Sequence, residues 1–204
     1  MDAEGWDRRY AAAERVFSDE PNPLVADALG GLSPGRALDL AAGEGRHALW
    51  LARGGWQVTA VDFSQVGLEK GRPRSEAEGL PIEWVLADAY RYEPRFASFD
   101  LVLIAHFHPR PADRRTVFAR MAAALAPGGA LLVVGRHVDD IGRDGGRGPS
   151  NPALRYRPEV LRSQLPPELE LERCESVRRS VEGEEGPVEL TDVIAFGRAR
   201  PGGS

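Results

Sequence analysis

The sequence predicts an α/β fold: a mostly parallel sheet of seven strands with helices on both faces. Three observations predict it. Short apolar segments alternate with amphipathic ones along most of the 204 residues. The apolar segments are hydrophobic almost throughout, not at every second position, as strands buried on both faces are. The last two strand-like segments have no helix between them, so they should pair antiparallel and close a parallel core.

The elements follow in order. The region 5–32 reads helical: "WDRRYAAAERVF" is rich in helix formers. "NPLVADALGGL" places Asn22 as a cap, Pro23 in the first turn and Gly30-Gly31 at the stop. "RALDLA" (36–41) is a strand. "RHALWLAR" (46–53) is a helix with Ala48, Leu51 and Ala52 on one face, halted by Gly54-Gly55. "QVTAVD" (57–62) is a strand, and 64–79 a helix that Pro73 should end or kink. "IEWVLAD" (82–88) and "FDLVLIA" (99–105) are strands. A helix over 113–125 should stop at Pro127-Gly128-Gly129, before a fifth strand at 130–135. A glycine-rich loop (136–152) and a short helix (157–165) lead to strands at 169–178 and 188–199, joined by the acidic turn "EGEEG".

Composition narrows the function. With 42% hydrophobic and 28% charged residues the chain reads as a globular protein. A net charge of -5 gives no general attraction to nucleic acid, so none is expected as a partner. One cysteine, Cys174, excludes an intrachain disulfide framework and fits a reducing compartment. No apolar run reaches the roughly 18 residues of a membrane span. "MDAEGWDRRY" has early acidic charges and no apolar core, so no signal peptide is expected and the cytoplasm is the default. The arginine-rich stretches "RPADRR" and "RRSVEGEEG" read as solvated faces.

Open parallel sheets bind ligands beyond the carboxyl ends of their strands. After the first strand lie Asp39 and "AAGEG", where Gly43 and Gly45 permit a tight turn and close approach of a ligand. The next helix offers unpaired N–H groups to a polar or anionic group. After the second strand comes Asp62, placed to accept ribose hydroxyls, then Phe63 and Ser64, the latter also a helix cap. After the third, Asp88 and Ala89 are placed for the amine and a ring nitrogen of adenine, with Phe63 suited to its face. After the fourth comes "AHFHPRP", with His106 and His108 as candidate bases or substrate contacts. The four histidines have no ligand spacing with cysteine or carboxylate, so no metal is expected. Trp6 and Tyr10 sit at helical spacing. Tyr10 reads as packing, while Trp6 and Arg9 are open to either packing or a ligand carboxylate.

With these residues in view, the chain resembles the class I S-adenosylmethionine-dependent methyltransferases over roughly 5–198. "ALDLAAGEGRHA", "VTAVDFS", "LADAY", "FDLVLIAHFH" and "LAPGGALLVV" resemble that family's successive motifs in order. "WDRRY" with "GEGRHALWLA" is similar to the branch of tellurite-resistance-type and thiopurine-type small-molecule enzymes.

The resemblance implies a Rossmann-like sheet of order 3-2-1-4-5-7-6 with the last strand antiparallel. It implies one methyltransferase domain over 1–204, with a helical lid (1–32), a cofactor-binding core (33–135), and a substrate loop with closing hairpin (136–204). It implies S-adenosyl-L-methionine as cofactor, a small-molecule acceptor, and a monomer or weak homodimer. The carried-over contacts are Asp39, Ala41, Gly43 and Gly45 on the methionine side, with Trp6, Arg9 and Arg46 over its carboxylate. Asp62 and Ser64 lie on the ribose side, Phe63, Asp88 and Ala89 about the adenine, and the backbone of Ala105 and His106 at the ammonium. Ala41 stands where the family motif has glycine, and is expected to keep a negative φ. Two alternatives stay open: an NAD(P)-dependent oxidoreductase, since "GEGRHA" fits a loose G-x-G-x-x-A, and a non-catalytic S-adenosylmethionine-binding protein.

Overall fold

A computed structural model describes residues 2–142, 148–183 and 186–200. Its helices are α1 (Ala3–Ala11), α2 (Pro23–Leu29), α3 (Arg46–Arg53), α4 (Gln65–Ala77), α5 (Arg114–Ala123) and α6 (Pro158–Gln164). Its strands are β1 (Arg36–Leu40), β2 (Gln57–Asp62), β3 (Ile82–Leu86), β4 (Phe99–Ala105), β5 (Leu125–Arg136), β6 (Leu169–Gly183) and β7 (Gly186–Ala199). They form one sheet of order β3-β2-β1-β4-β5-β7-β6. The first five strands run parallel, and β7 is antiparallel to both β5 and β6. The expected architecture is the observed one.

Alternation along the strands sends side chains to two cores. Leu38, Leu40, Val102 and Ile104 pack with Val117, Phe118 and Met121 of α5. Ala37, Leu101 and Leu103 face the other way, onto Ala48 and Leu51 of α3 and Val25 of α2. Asp39 shares the parity of Ala37, so its carboxylate is carried to the α3 side of the sheet.

Several boundaries differ from the expected ones. The helix expected through Phe17 ends at Ala11. The ammonium of Lys70, on α4, accepts the chain there by donating to the carbonyls of Tyr10, Ala13 and Glu14. Oε2 of Glu44 takes the N–H groups of Val16 and Phe17. These tertiary partners compete with the next helical turn. α4 is not ended at Pro73. β5 begins at Leu125, absorbing the Pro127-Gly128-Gly129 stretch through a register shift opposite Phe99–Leu101. β6 runs on to Gly183. Residues 143–147 of the expected loop and 184–185 of the expected turn lie outside the described residues. The flanking parts of that loop form two single turns of 3₁₀ helix, Val138–Asp140 and Pro152–Leu154. Among the described residues no helix is long and apolar enough to cross a membrane.

Candidate active site

The turn after β1 is built around two carboxylates. Gly45, the N-cap of α3, has no side chain with which to cap it. Asp39, from the strand beneath, supplies the missing acceptor by taking the backbone N–H of Ala48. Its Oδ2 is buried and has no hydrogen-bond partner. Burial, then the neighbouring Asp62, raise the Asp39 carboxyl to about 7, against the opposing pull of Arg46 and the Ala48 N–H. Asp62 closes the turn: Oδ2 accepts from Gly43 N at 2.8 Å and Oδ1 from Ser64 N at 2.8 Å. Burial still raises its pKa. The Phe63 N–H also reaches this carboxylate, and of its roughly four lone-pair sites about one remains for a ligand hydroxyl.

The conformation of this turn corrects one expectation. Ala41 does not keep a negative φ; it sits at +62°. The turn holds it there through Ala42 N–H to Val61 O (3.0 Å) and Gly43 N–H to Asp62. The two glycines are also needed for packing. A Cβ on Gly43 would lie 2.4 Å from the Tyr10 hydroxyl oxygen, and one on Gly45 would lie 2.2 Å from the Trp84 ring.

The other predicted residues gather along the same edge. Phe63 is half-buried directly beyond Asp62. The Ser64 hydroxyl is committed to structure: it accepts from Gly67 N and donates to Asp7 of α1. At the end of β3, Asp88 accepts from Tyr90 N at 2.9 Å, and Ala89 is buried. At the end of β4, His106 has φ +59° and donates its N–H to Val134 O at 2.7 Å. A non-glycine residue in that region costs of order 1–3 kcal/mol and is a mark of functional sites. Ala105, just before it, ends the strand.

The two histidines proposed as bases differ in access. His108 has both nitrogens engaged: Nε2 accepts from Arg136 N at 2.9 Å, and the His106 backbone takes the other. Its ring stacks on Tyr156 at 5.1 Å between centroids, and burial pushes its pKa down to about 3. His108 is therefore a tie between β4 and β5, and the base role expected of it has no free nitrogen. The Nε2 of His106 meets the side-chain amide of Asn22 at 2.8 Å, and the Asn22 backbone N–H reaches Nε2 of His47 at 3.2 Å. Asn22 Oδ1 is taken by Leu24 N, so its amide donates and His106 carries its proton on Nδ1. Burial and the surrounding Arg136, His108, Arg46 and Arg179 hold the His106 pKa well below its ordinary value.

Trp6 and Arg9 are brought to the site by α1. Trp6 stacks on Tyr10 (5.3 Å), the Arg9 guanidinium lies 5.1 Å over Trp6, and Arg46 lies 5.5 Å from Phe17. The fastening of this segment was not foreseen. Lys70, the only lysine of the chain, bonds Glu44 at 3.1 Å as well as the Tyr10 carbonyl of α1. Asp7 accepts from Ser64 Oγ and Val66 N. Two signals pointed there: a solitary lysine, and a glutamate placed between the two glycines.

The arginine-rich stretches are not wholly solvated. Arg114 is 2% exposed and donates to the carbonyls of Pro109 and Ala153. Arg179 donates to Asp192 Oδ2 at 2.7 Å, and Arg136 to its Oδ1 at 3.0 Å, with Asp192 fully buried. A carboxylate on an adjacent strand drew both guanidiniums inward.

Such a sheet, with an acidic residue ahead of a glycine turn and further acids at the next two strand ends, has the arrangement that the resemblance to class I S-adenosylmethionine-dependent methyltransferases implies. Residues 37–129 match the family model described as a methyltransferase domain. The chain is similar to a demethylmenaquinone methyltransferase of Thermus thermophilus, 36% identical over 104 residues, covering 50% of this chain and 47% of that protein. It thus spans about half the length of that relative. Among solved structures it is similar to TehB from Haemophilus influenzae (TM-score 0.74, 20% identity, 88% of this chain and 63% of that one). It is also similar to the N-methyltransferase NodS from Bradyrhizobium japonicum in complex with S-adenosyl-L-homocysteine (TM-score 0.74, 18% identity, 97% of each chain).

Proposed function

We propose that the protein transfers a methyl group from S-adenosyl-L-methionine to a small-molecule nucleophile, as the tellurite-resistance-type and thiopurine-type branch does. The observation that carries this reading is Asp39: a buried carboxylate with one unpartnered oxygen, beside a second buried carboxylate, Asp62. Two neighbouring acids favour a cationic ligand and repel a diphosphate. That argues against the nicotinamide alternative, whose pyrophosphate would need the N-terminus of α3, which Asp39 already caps. S-adenosylmethionine carries an ammonium and a sulfonium, and the residues present fit both. Asp39 and the Ala105–His106 backbone would hold its amino-acid end. Asp62 would hold the ribose, Phe63, Asp88 and Ala89 the adenine, and Trp6, Arg9 and Arg46 the carboxylate.

When bound, the cofactor supplies an electrophilic methyl whose bond to sulfur breaks as the acceptor's lone pair attacks, leaving S-adenosylhomocysteine. The chain's own part is to orient and to exclude water. His47 and His106 are both held well below their ordinary pKa, and His108 near 3, so none is tuned to take a proton near neutral pH. The acceptor therefore arrives as its own nucleophile, a thiolate foremost, and His106 positions it through the Asn22-fixed ring. α1 and its Lys70–Glu44 fastening act as the lid over the donor. The protein works in the cytoplasm, without nucleic acid, as a monomer or weak homodimer.

Calorimetry tests the reading. S-adenosylhomocysteine should bind at micromolar concentration and NAD should not, and a thiol panel should be methylated in the presence of S-adenosylmethionine. Absence of binding at high micromolar concentration would sink it. Binding without turnover of any nucleophile would leave the non-catalytic reading in its place.

A further inference from the structure

The carboxyl edge of the sheet is electrically divided. On one half, the ends of β1, β2 and β3 present Asp39, Asp62 and Asp88. On the other, Arg136 ends β5, and Arg179 of β6 is drawn to the same level by Asp192 of β7, whose register partner on β5 is Arg136 itself. Arg46, at the start of α3, stands between the halves, within electrostatic reach of Asp39, Arg136, Arg179 and Asp192. The acidic half suits the cationic donor. The basic half faces the place where the acceptor must enter, beyond His106.

Two guanidiniums there are incompletely used. Arg179 spends only Nε on Asp192; its two terminal NH₂ groups make no bond among the described residues, and its side chain is 18% exposed and within electrostatic reach of His106 and Arg46. Arg46 forms no ion pair among the described residues, though it is half-buried. Partly buried like charges within electrostatic reach of one another are costly unless anions neutralise them, and the nearby carboxylate of Asp192 is already shared by Arg136 and Arg179. Burial first, and then Arg179, pull the Arg46 pKa down, against the opposing pull of Asp39 and Asp192.

We infer that the methyl acceptor carries an anionic oxygen group, a carboxylate or its equivalent, received by Arg179, which Asp192, itself bonded by Arg136, holds in place. Arg179 is thus a specificity-determining residue. The flat fork of a guanidinium anchored at Nε leaves its paired terminal N–H groups in the geometry that grips a carboxylate. The inference rests on the methyltransferase reading, and its test separates the two.

The protein saturated with S-adenosylhomocysteine is titrated calorimetrically with three thiol acids, 3-mercaptopropionate, 2-mercaptobenzoate and N-acetylcysteine, and with the amide of each. At least one acid should bind about tenfold more tightly than its amide. In Arg179→Gln that preference should fall to about twofold or less, with Arg179→Lys intermediate. S-adenosylhomocysteine should bind both variants as it binds the wild type, which also certifies their fold. Equal binding of acid and amide, no acid binding at all, or a preference that survives in Arg179→Gln overturns the inference while leaving the methyltransferase reading intact. If S-adenosylhomocysteine fails to bind the wild type, it is that underlying reading which fails.

Discussion

Replacing Asp39 with asparagine should make the ligand-free protein relatively more stable as pH rises, while weakening its hold on the donor. Burial and the Asp62 charge raise the Asp39 carboxyl from 3.8 to about 7. A carboxyl whose folded pKa is raised holds its proton more tightly in the native state than in the unfolded one. The wild type therefore loses stability as pH climbs from about 4 to about 7, and loses no more above that. Each unit is worth about 1.4 kcal/mol, so the full loss is about 4 kcal/mol, of which about 2.5 accrues between roughly pH 5 and roughly pH 8.

The asparagine keeps an oxygen for the Ala48 N–H but puts an NH₂ where Oδ2 has no partner. That costs about 1–3 kcal/mol at any pH. The diagnostic is thus the change in the gap between variant and wild type, not the gap itself. Urea unfolding of both proteins near pH 5 and near pH 8, at equal ionic strength, measures it. The depressed histidines titrate alike in both proteins and cancel. The gap should move by about 2.5 kcal/mol in favour of the variant. A gap constant to within about 0.5 kcal/mol would mean that Asp39 titrates as an ordinary carboxyl, and the argument for a buried charge awaiting a cation would fall.

Four further outcomes are expected. Asp62→Asn should weaken S-adenosylhomocysteine binding by about tenfold or more, since it removes the charge from each hydrogen bond the side chain accepts; calorimetry measures this. Ala41→Gly should stabilise the protein by about 0.5 kcal/mol and Ala41→Val destabilise it by more than about 1 kcal/mol, as a residue at φ +62° requires; urea midpoints decide. Lys70→Met should speed hydrogen exchange in α1 but not in β1 or β4, and weaken donor binding about tenfold through the lost fastening. The rate of thiol methylation should show no limb near pH 6.5, because His47, His106 and His108 are neutral well below it, and should rise with ionisation of the thiol. A limb near 6.5 that disappears in His106→Gln would restore a histidine base.

What could be read in the sequence was whatever is settled within one strand-turn-helix unit. α3, β2 and β4 begin and end where periodicity places them, because the apolar face and the stopping glycines are neighbours in the chain. Asn22 and Ser64 cap α2 and α4 for the same reason. α1 ends early because Lys70, 60 residues on from Tyr10, claims the Tyr10 carbonyl and those of Ala13 and Glu14 just past the helix, and local helix propensity cannot know that. Ala41 was expected at negative φ from the cost of its methyl group alone. That cost is of order 1–2 kcal/mol, less than what several turn hydrogen bonds and a paired Asp62 can impose.

The same distinction explains why only half of the candidate site was legible. Asp39, Asp62 and Asp88 each stand within two residues of the end of their own strand, so finding the strand finds the acid. Arg136 too follows its strand, but its meaning depends on Asp192, reached only once β7 has turned back beside β5 in register. Arg179 depends on that register twice over: β6 must pair with β7 so that Arg179 lies opposite Leu190, two residues from Asp192. A one-residue slip would turn its side chain to the other face and leave the run "RRSVEGEEG" the solvated stretch it resembles. The half of the edge proposed to hold the donor is thus written locally in the chain. The half that would choose the acceptor is written in the pairing of the closing hairpin, so changes in that hairpin should alter the acceptor while sparing the donor.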